Sequence, residues 1–496
     1  MAPSNTSVQW RGTVGALCVL ACLAAPAAAS AADLTVNDDA IGPGPAGSNC
    51  GAADHSAIQD AVDAADPGDT ILVCAGNYTT GDDGQPAANV SKSLSLLGAK
   101  AGVAGPDHGT PGVASDSIVD DSDGGLQITA SDVSVDGFHL TGVTDADGLG
   151  AGLHVAGDVS DNRFVNNSIT GNVIGAYLNN EPGATTVFRR NLVSNNNAPG
   201  SSSGAGVYSD TGIDDVEIAA NEFSQHTNAG LLLLGGGDLE ITNNDSAGDS
   251  AFFLVGIDGA TIANNRLANS VTHGIQLDGD NSDIAIAGNS IADPGDDTWS
   301  AVRVSANSGG PNTGVTVVGN DLTDDGNDFG VRVGDGASSG PVEVHQNRIV
   351  GFTAGAVGDD ATDPIDAEDN WWGCNAGPNQ PGCDTTAGEV TADSWLVLTV
   401  SPTKDKIRKG RSTKVKGSLR ENSDGDVLSP SLFPDGVDVA FTETKGEVDP
   451  ATAPTEEGLA KTVFTGRSPG KATITATLDD ESADTEVKVK KKKGQG

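Results

Sequence analysis

Between residues 150 and 400 the chain alternates short apolar–any–apolar triplets with Gly-, Asn- and Asp-rich breaks, a period-2 pattern that predicts strands of three to five residues. One signature is a small or polar residue, an asparagine, any residue and then an apolar one. It recurs at Asn167, Asn191, Asn221, Asn244, Asn265, Asn289, Asn320, Asn347 and Asn370, at intervals of 21 to 31 residues that average about 25. A second signature, Gly or Ala before apolar–any–apolar, follows most of them, as in Gly152-Leu153-His154-Val155, Gly274-Ile275-Gln276-Leu277 and Gly330-Val331-Arg332-Val333. A unit of this length holds two or three strands and cannot bury its own apolar face. Stacked in register, such units share one core and form a parallel β-helix with rungs ~4.8 Å apart. The asparagines are expected in the turns, where Asn tolerates positive φ and bonds locally, a structural role rather than a ligand role. Variable unit length places insertions in turns on one side, where function tends to sit.

Both ends of such a coil need covering. Upstream, Ser56-Ala57-Ile58-Gln59 reads as a capping box opening a short helix with Ile58 and Val62 on one face, stopped by Asp66-Pro67-Gly68. Thr70–Cys74 is the expected first strand. Downstream, Asn370-Trp371-Trp372-Gly373-Cys374 through Cys383, and then Trp395–Leu398, bring bulky residues to the other end. Arg11, the 12-residue apolar stretch Val14–Ala25 and the small-residue run Ala27–Ala32 predict a secretory signal peptide over 1–32, too short for a bilayer, which needs ~20 residues. The alternative is a lipoprotein box at Val19–Cys22, and neither reading leaves a transmembrane span in the mature chain. Export leaves Cys50, Cys74, Cys374 and Cys383, whose proximity favours the disulfides Cys50–Cys74 and Cys374–Cys383 over a zinc site, since there is no CxxC spacing.

The segment Ile58–Tyr78 (IQDAVDAADPGDTILVCAGNY), Ser93–Ala99 (SLSLLGA) and the closing NWWGCNAGPN at Asn370–Asn379 resemble secreted right-handed parallel β-helix proteins of the pectin-lyase-like superfamily. The resemblance covers roughly residues 33–398. It implies an all-β solenoid with an N-terminal helical cap, and leaves activity open among lyases, hydrolases, epimerases and adhesins.

Composition shifts near Thr399. Residues 401–496 hold 17 Lys+Arg and 16 Asp+Glu, whereas residues 1–400 hold 10 and 53. Alternating runs at Ser412–Gly417, Val437–Phe441, Ala460–Phe464, Ala472–Ala476 and Thr485–Lys490 predict a β-sandwich over 399–487. The pattern Asp435-Gly436-Val437, Gly458-Leu459-Ala460 and Gly470–Ala476 resembles bacterial Ig-like domains of the invasin/intimin type, which implies a spacer or adhesion module. Residues 488–496 are expected as a basic tail, either a solvated terminus or one drawn to an anionic polymer or lipid surface.

The formal charge of −42 makes nucleic acid a poor partner, and none is expected, because phosphate binding needs clustered Lys and Arg. The middle residue of the second signature should point outward, giving the column His154, Tyr177, Tyr208, Leu232, Phe253, Gln276, Arg303 and Arg332. Aromatic faces that stack on sugars and polar heads that fork to hydroxyls or carboxylates would make this a glycan-facing strip, with His154, Tyr177, Tyr208, Gln276, Arg303 and Arg332 as ligand-binding residues. Cross-strand packing alone would favour the same residue types. Uronate lyases of the resembled fold pair an Arg or Lys base with Ca²⁺-binding carboxylates. Arg303 and Arg332 with Asp278 or Asp296-Asp297 could imitate that, with Ca²⁺ as cofactor, but the hydrolase elements NTD, DD and GHG are not in order here. The sequence is thus read as a secreted or cell-surface, monomeric binder of a polysaccharide or surface glycan; a Ca²⁺-assisted uronate lyase, or a glycoside hydrolase, is the alternative. The acidity is assigned to solubility, with salt adaptation or a low-affinity Ca²⁺ surface in turns such as Asp321–Asp328 as the other readings.

Overall fold

A computed structural model describes residues 31–80, 84–145, 150–295, 298–326, 328–358 and 365–492. The expected signal peptide with Cys18 and Cys22 falls almost wholly outside these residues, as do Asp296, Asp297 and the end of the basic tail. Among the described residues no helix is long and apolar enough to cross a membrane. The repeat forms an all-β solenoid of about twelve turns. Each full turn lays one strand on each of three faces, and every strand pairs in parallel with the equivalent strand of the next turn.

Alternation within each strand fixes what enters the core. On one face Ile71, Leu96, Val135, Phe164, Phe188, Ile218, Ile241, Ile262, Ile286, Val317 and Val344 stack in register, all fully buried. Another face adds Ile169, Val193, Phe223, Ser246, Leu267, Ile291, Leu322 and Ile349. Identical positions meet because a parallel in-register sheet repeats every side chain one rung later.

The asparagines behave differently from the expectation. All nine are buried, and the left-handed bend falls on the residue before each: Asn166, Arg190, Ala220, Asn243, Asn264, Gly288, Gly319, Gln346 and Asp369, with φ of 53° to 67°. That bend turns the chain, and the asparagine that follows points inward. Its Oδ1 accepts the backbone N–H of the asparagine one rung earlier at 2.7–3.0 Å. Its Nδ2 donates to the next Oδ1 at 2.9–3.3 Å. In all nine the same Nδ2 also donates to a strand carbonyl. The bonding is between rungs, not local, and it satisfies turn amides and carbonyls that burial would otherwise leave unpaired.

At the N-terminal end the strand Asp33–Val36 precedes and pairs with Thr70–Val73, so Thr70–Cys74 is not the first strand. The helix spans Ile58–Ala64 and sends Ile58, Ala61 and Val62 into the solenoid core. No capping box forms: no side chain caps the helix, and Gln59 instead accepts the Asn89 N–H at 2.7 Å and donates to Asp63. Lys92 Nζ supplies the other terminus, donating to the carbonyls of Val62, Asp63 and Ala65. Both expected disulfides are present.

The C-terminal region folds as two mostly antiparallel sheets. One has four strands, from Leu396–Pro402, Ser412–Asn422, Leu459–Gly466 and Gly446–Asp449. The other has five, from Lys406–Arg408, Glu481–Lys490, Gly470–Leu478, Asp438–Glu443 and Thr452–Pro454. The boundary expected at 398/399 lies inside Leu396–Pro402, whose Leu396 and Leu398 join the C-terminal core, while the preceding Trp395 packs against the solenoid core as expected. The start of the expected tail, Lys488–Lys490, is strand. Trp372 packs in the solenoid core and its neighbour Trp371 in the C-terminal core. Arg348 lies between the two, ion-paired to Asp321 at 2.7 Å and to Asp479, which also accepts the Trp371 indole N–H at 2.7 Å. Asn375 N–H donates to Glu481 and Asn422 to Asp369, both at 2.9 Å.

Candidate functional site: the outward column of one solenoid face

The strand register joins His154 to Tyr177, then Tyr208, Leu232, Phe253, Gln276, Arg303 and Arg332 in a single column, one residue per rung. Their apolar flanks Leu153, Val155, Val207, Leu231, Ile275, Leu277, Val302 and Val304 are fully buried, which forces the middle residues outward. The column also extends upstream to Gln127 and Asn89, which the sequence reading missed although Leu126-Gln127-Ile128 carries the same apolar–any–apolar signal. At ~4.8 Å per rung, the eight residues span about 34 Å.

In the first half the rings stack on one another. His154 and Tyr177 have centroids 5.0 Å apart at 22°, and Tyr177 and Tyr208 are 5.3 Å apart at 20°. Rung spacing nearly equals ring-stacking distance, so aromatic residues at one column position cover each other's faces. Tyr177 is only 4% exposed and packs with Ala151, Val173 and Ile174. The expectation that its face stacks on a sugar is therefore corrected: its rings are covered and its hydroxyl donates to Asp210. Burial, and then that bond to Asp210, push the Tyr177 phenol above its usual range. Asp210 also meets Tyr208 Oη at 3.5 Å and Asn179 Nδ2 at 3.3 Å. Burial lowers the pKa of His154, with Asp210 opposing. Its ring also borders a hollow of about 230 Å³ with Gln127, Asp123 and Asp145.

The second half is polar and cationic. Gln276, Arg303 and Arg332 occupy successive rungs, and the Arg332 guanidinium lies 4.8 Å from the Phe329 ring centroid. His273 sits beside this run, edge-on to Trp299 at 4.9 Å, its Nδ1 accepting the Ser300 N–H at 3.0 Å. Burial, and then the nearby Arg303 and Arg332 charges, lower its pKa to about 4, so the ring is neutral at pH 7. Asp278 is not brought to the arginines as a free carboxylate. It is 4% exposed and accepts from Ser305 Oγ at 2.6 Å, Asn307 N–H at 2.9 Å and Ser308 Oγ at 2.5 Å, closing its own turn. Those bonds outweigh burial and hold its pKa low. Among the described residues no group of three His, Cys, Asp or Glu side chains could hold a metal ion.

Two hollows lie elsewhere. A groove of about 770 Å³ on another face is lined by Asp215, Glu217, Asp238, Glu240 and Asp283. A cleft of about 490 Å³ beside the C-terminal sheets is lined by Val350, Trp372, Asp384, Asp479 and Asp480. Burial pushes Asp384 up to about 7, although its carboxylate accepts the Gly351 N–H at 2.7 Å. A carboxyl held protonated in the fold costs nothing below pH 4, increasingly more from 4 to 7, and its full amount above 7, about 1.4 kcal/mol per pKa unit. Denaturant unfolding of the wild type should therefore lose stability across that window relative to Asp384→Asn. Parallel pH curves for the two proteins would disprove it.

Two overlapping stretches, residues 102–246 and 200–353, match the family described as the right handed beta helix region, together just over half of the chain. The chain belongs to the right-handed β-helix family. Among solved structures, this β-helix protein is similar to the Dettilon tailspike protein at 14% identity, over 85% of this chain and 86% of that one, with a TM-score of 0.31. It is also similar to the D0-D1 domain of Intimin at 21% identity, over 21% of this chain and 54% of that one, with a TM-score of 0.16. The β-helix protein thus spans about half of that intimin fragment. No curated protein matches it.

Proposed function

We propose that this right-handed β-helix protein is an exported, cell-surface member of the pectin-lyase-like group that binds a polysaccharide or surface glycan along the column from Gln127 to Arg332. The helix Ile58–Ala64 serves as its N-terminal cap, and residues 396–492 act as an Ig-like module. Two disulfides support passage through an oxidising compartment. One observation carries the glycan reading: eight outward residues in unbroken register, with Gln276, Arg303 and Arg332 adjacent at one end. Their amide and guanidinium donors match hydroxyls and carboxylates spaced along a chain. The stacked rings act as a rigid wall presenting polar edges at His154, Tyr208 and Asp210, rather than as sugar platforms.

A glycan array tests this with Gln276→Ala, Arg303→Ala and Arg332→Ala. Each should weaken binding about tenfold or more, as expected for charge-assisted hydrogen bonds of 1.5–3 kcal/mol. Unchanged binding in all three would remove the column as the site. Appearance of unsaturated uronate absorbance with Ca²⁺ and a polyuronate would move the reading to a lyase.

A further inference from the structure

The cationic residues of the C-terminal module come together across three strands. Lys406 pairs with Lys488, Lys488 with Lys471, and Arg408 with Lys490. Residues directly paired across strands share one side of the sheet, and their neighbours Ile407, Val487, Val489 and Ala472 are buried, so all five cations face solvent. Lys491 continues the run. Asp405 and Glu486 pair with Lys406 and Lys471 at 3.1 and 2.7 Å, whereas Arg408, Lys488 and Lys490 have no ion-pair partner among the described residues. Like charges set side by side on a sheet destabilise it, so fold stability does not account for the arrangement. The hairpin of Gly470–Leu478 and Glu481–Lys490 has Asp479 and Glu481 against the solenoid and Lys471 and Lys490 at its far end, roughly 25 Å away along the strands.

We propose that this basic tip is a docking surface for a linear anionic polysaccharide, a polyuronate with one carboxylate per sugar ring. The inference is independent of the glycan column. Charge complementarity selects a polyanion, and distance from the strongly acidic solenoid places the patch where repulsion of that polymer is weakest. Lys406, Lys488 and Lys471 form a row across the three strands, spaced by the strand separation of ~4.8 Å. A membrane surface fits less well. The exposed large hydrophobic residues among the described residues, Ile41, Val103, Val113, Val271, Val427, Leu432 and Val463, all lie off the three strands and give the patch no apolar anchor there.

The test uses the full mature chain on immobilised polygalacturonate, with phosphatidylglycerol vesicles and duplex DNA as parallel probes. Retention at low salt is expected, lost on raising the salt, and reduced at least tenfold by Arg408→Gln/Lys488→Gln/Lys490→Gln. Lys406→Gln/Lys471→Gln on the flanking strands should weaken it in the same direction. The same tenfold loss is expected when the Arg408→Gln/Lys488→Gln/Lys490→Gln set is made on an Arg303→Ala/Arg332→Ala background, which separates this surface from the column. Undiminished retention by both Gln sets, or binding to vesicles or DNA as tight as to polygalacturonate, would overturn the proposal. Because these side chains are exposed and removing like charges relieves repulsion, a melting temperature that does not fall verifies folding of each variant.

Discussion

Asn265→Ala is expected to destabilise the solenoid by roughly 4 kcal/mol or more, from losing several buried hydrogen bonds at about 1–3 kcal/mol each. Asn265 Oδ1 accepts both the N–H and the Nδ2 of Asn244 at 2.9 Å. Its Nδ2 donates to the Ile241 carbonyl at 2.8 Å and to Asn289 Oδ1 at 3.0 Å. Alanine strands the Asn244 amide, its side-chain amide and the Ile241 carbonyl in a region where Asn244 and Asn265 are each only 1% exposed. Asn265→Leu, which fills the site with a larger apolar side chain, should do no better, because the hydrogen-bond partners are lost all the same and the added volume has to be packed. Stability in a stacked repeat comes from neighbour interfaces, so a break in the middle should also split one unfolding transition into two. A chemical-denaturation shift under ~1 kcal/mol would show that the ladder contributes little.

Arg348→Ala is the second large effect, on the order of 3–5 kcal/mol. Arg348 holds two carboxylates, Asp321 on the solenoid and Asp479 on the C-terminal hairpin, with side-chain exposures of 15%, 27% and 12%. Without the guanidinium both carboxylates keep their desolvation and lose their counter-ion. Asp479 is also the acceptor for Trp371 Nε1, so the tryptophan anchored in the C-terminal core should loosen with it. Arg348→Ala should therefore red-shift tryptophan emission and let residues 396–492 unfold before the solenoid. Unfolding that remains a single transition at an unchanged midpoint would exclude the junction as a stabilising contact. The coupling also bears on the module's role, since a segment sharing buried residues with its neighbour is a fixed extension and not a free tether.

Much of the solenoid was legible because parallel stacking repeats a chemical requirement at a nearly fixed interval. The outward column from His154 to Arg332 follows from alternation alone, and the observed register agrees at every step. Its availability was not legible. Alternation shows that Tyr177 points away from the core but not that Ala151, Val173, Ile174 and Asp210 cover it. The asparagine column was recognised and its mechanism misassigned, because Asn is common both at positive φ and one residue beyond it, and only backbone angles separate the two. The capping box at Ser56–Gln59 failed for a related reason: Gln59 found a better partner in the Asn89 N–H, which is distant in sequence.

By itself the sequence determined the period, the strand faces, the core and the cysteine pairs, since each depends on local alternation or on spacing along the chain. Tertiary structure alone decided which outward residues remain accessible, which carboxylates stay unengaged, and how Trp371 and Arg348 join the two regions. It also set Lys406, Lys471 and Lys488 side by side. Those outcomes depend on contacts between residues far apart in the chain, whose desolvation and pairing no local pattern encodes.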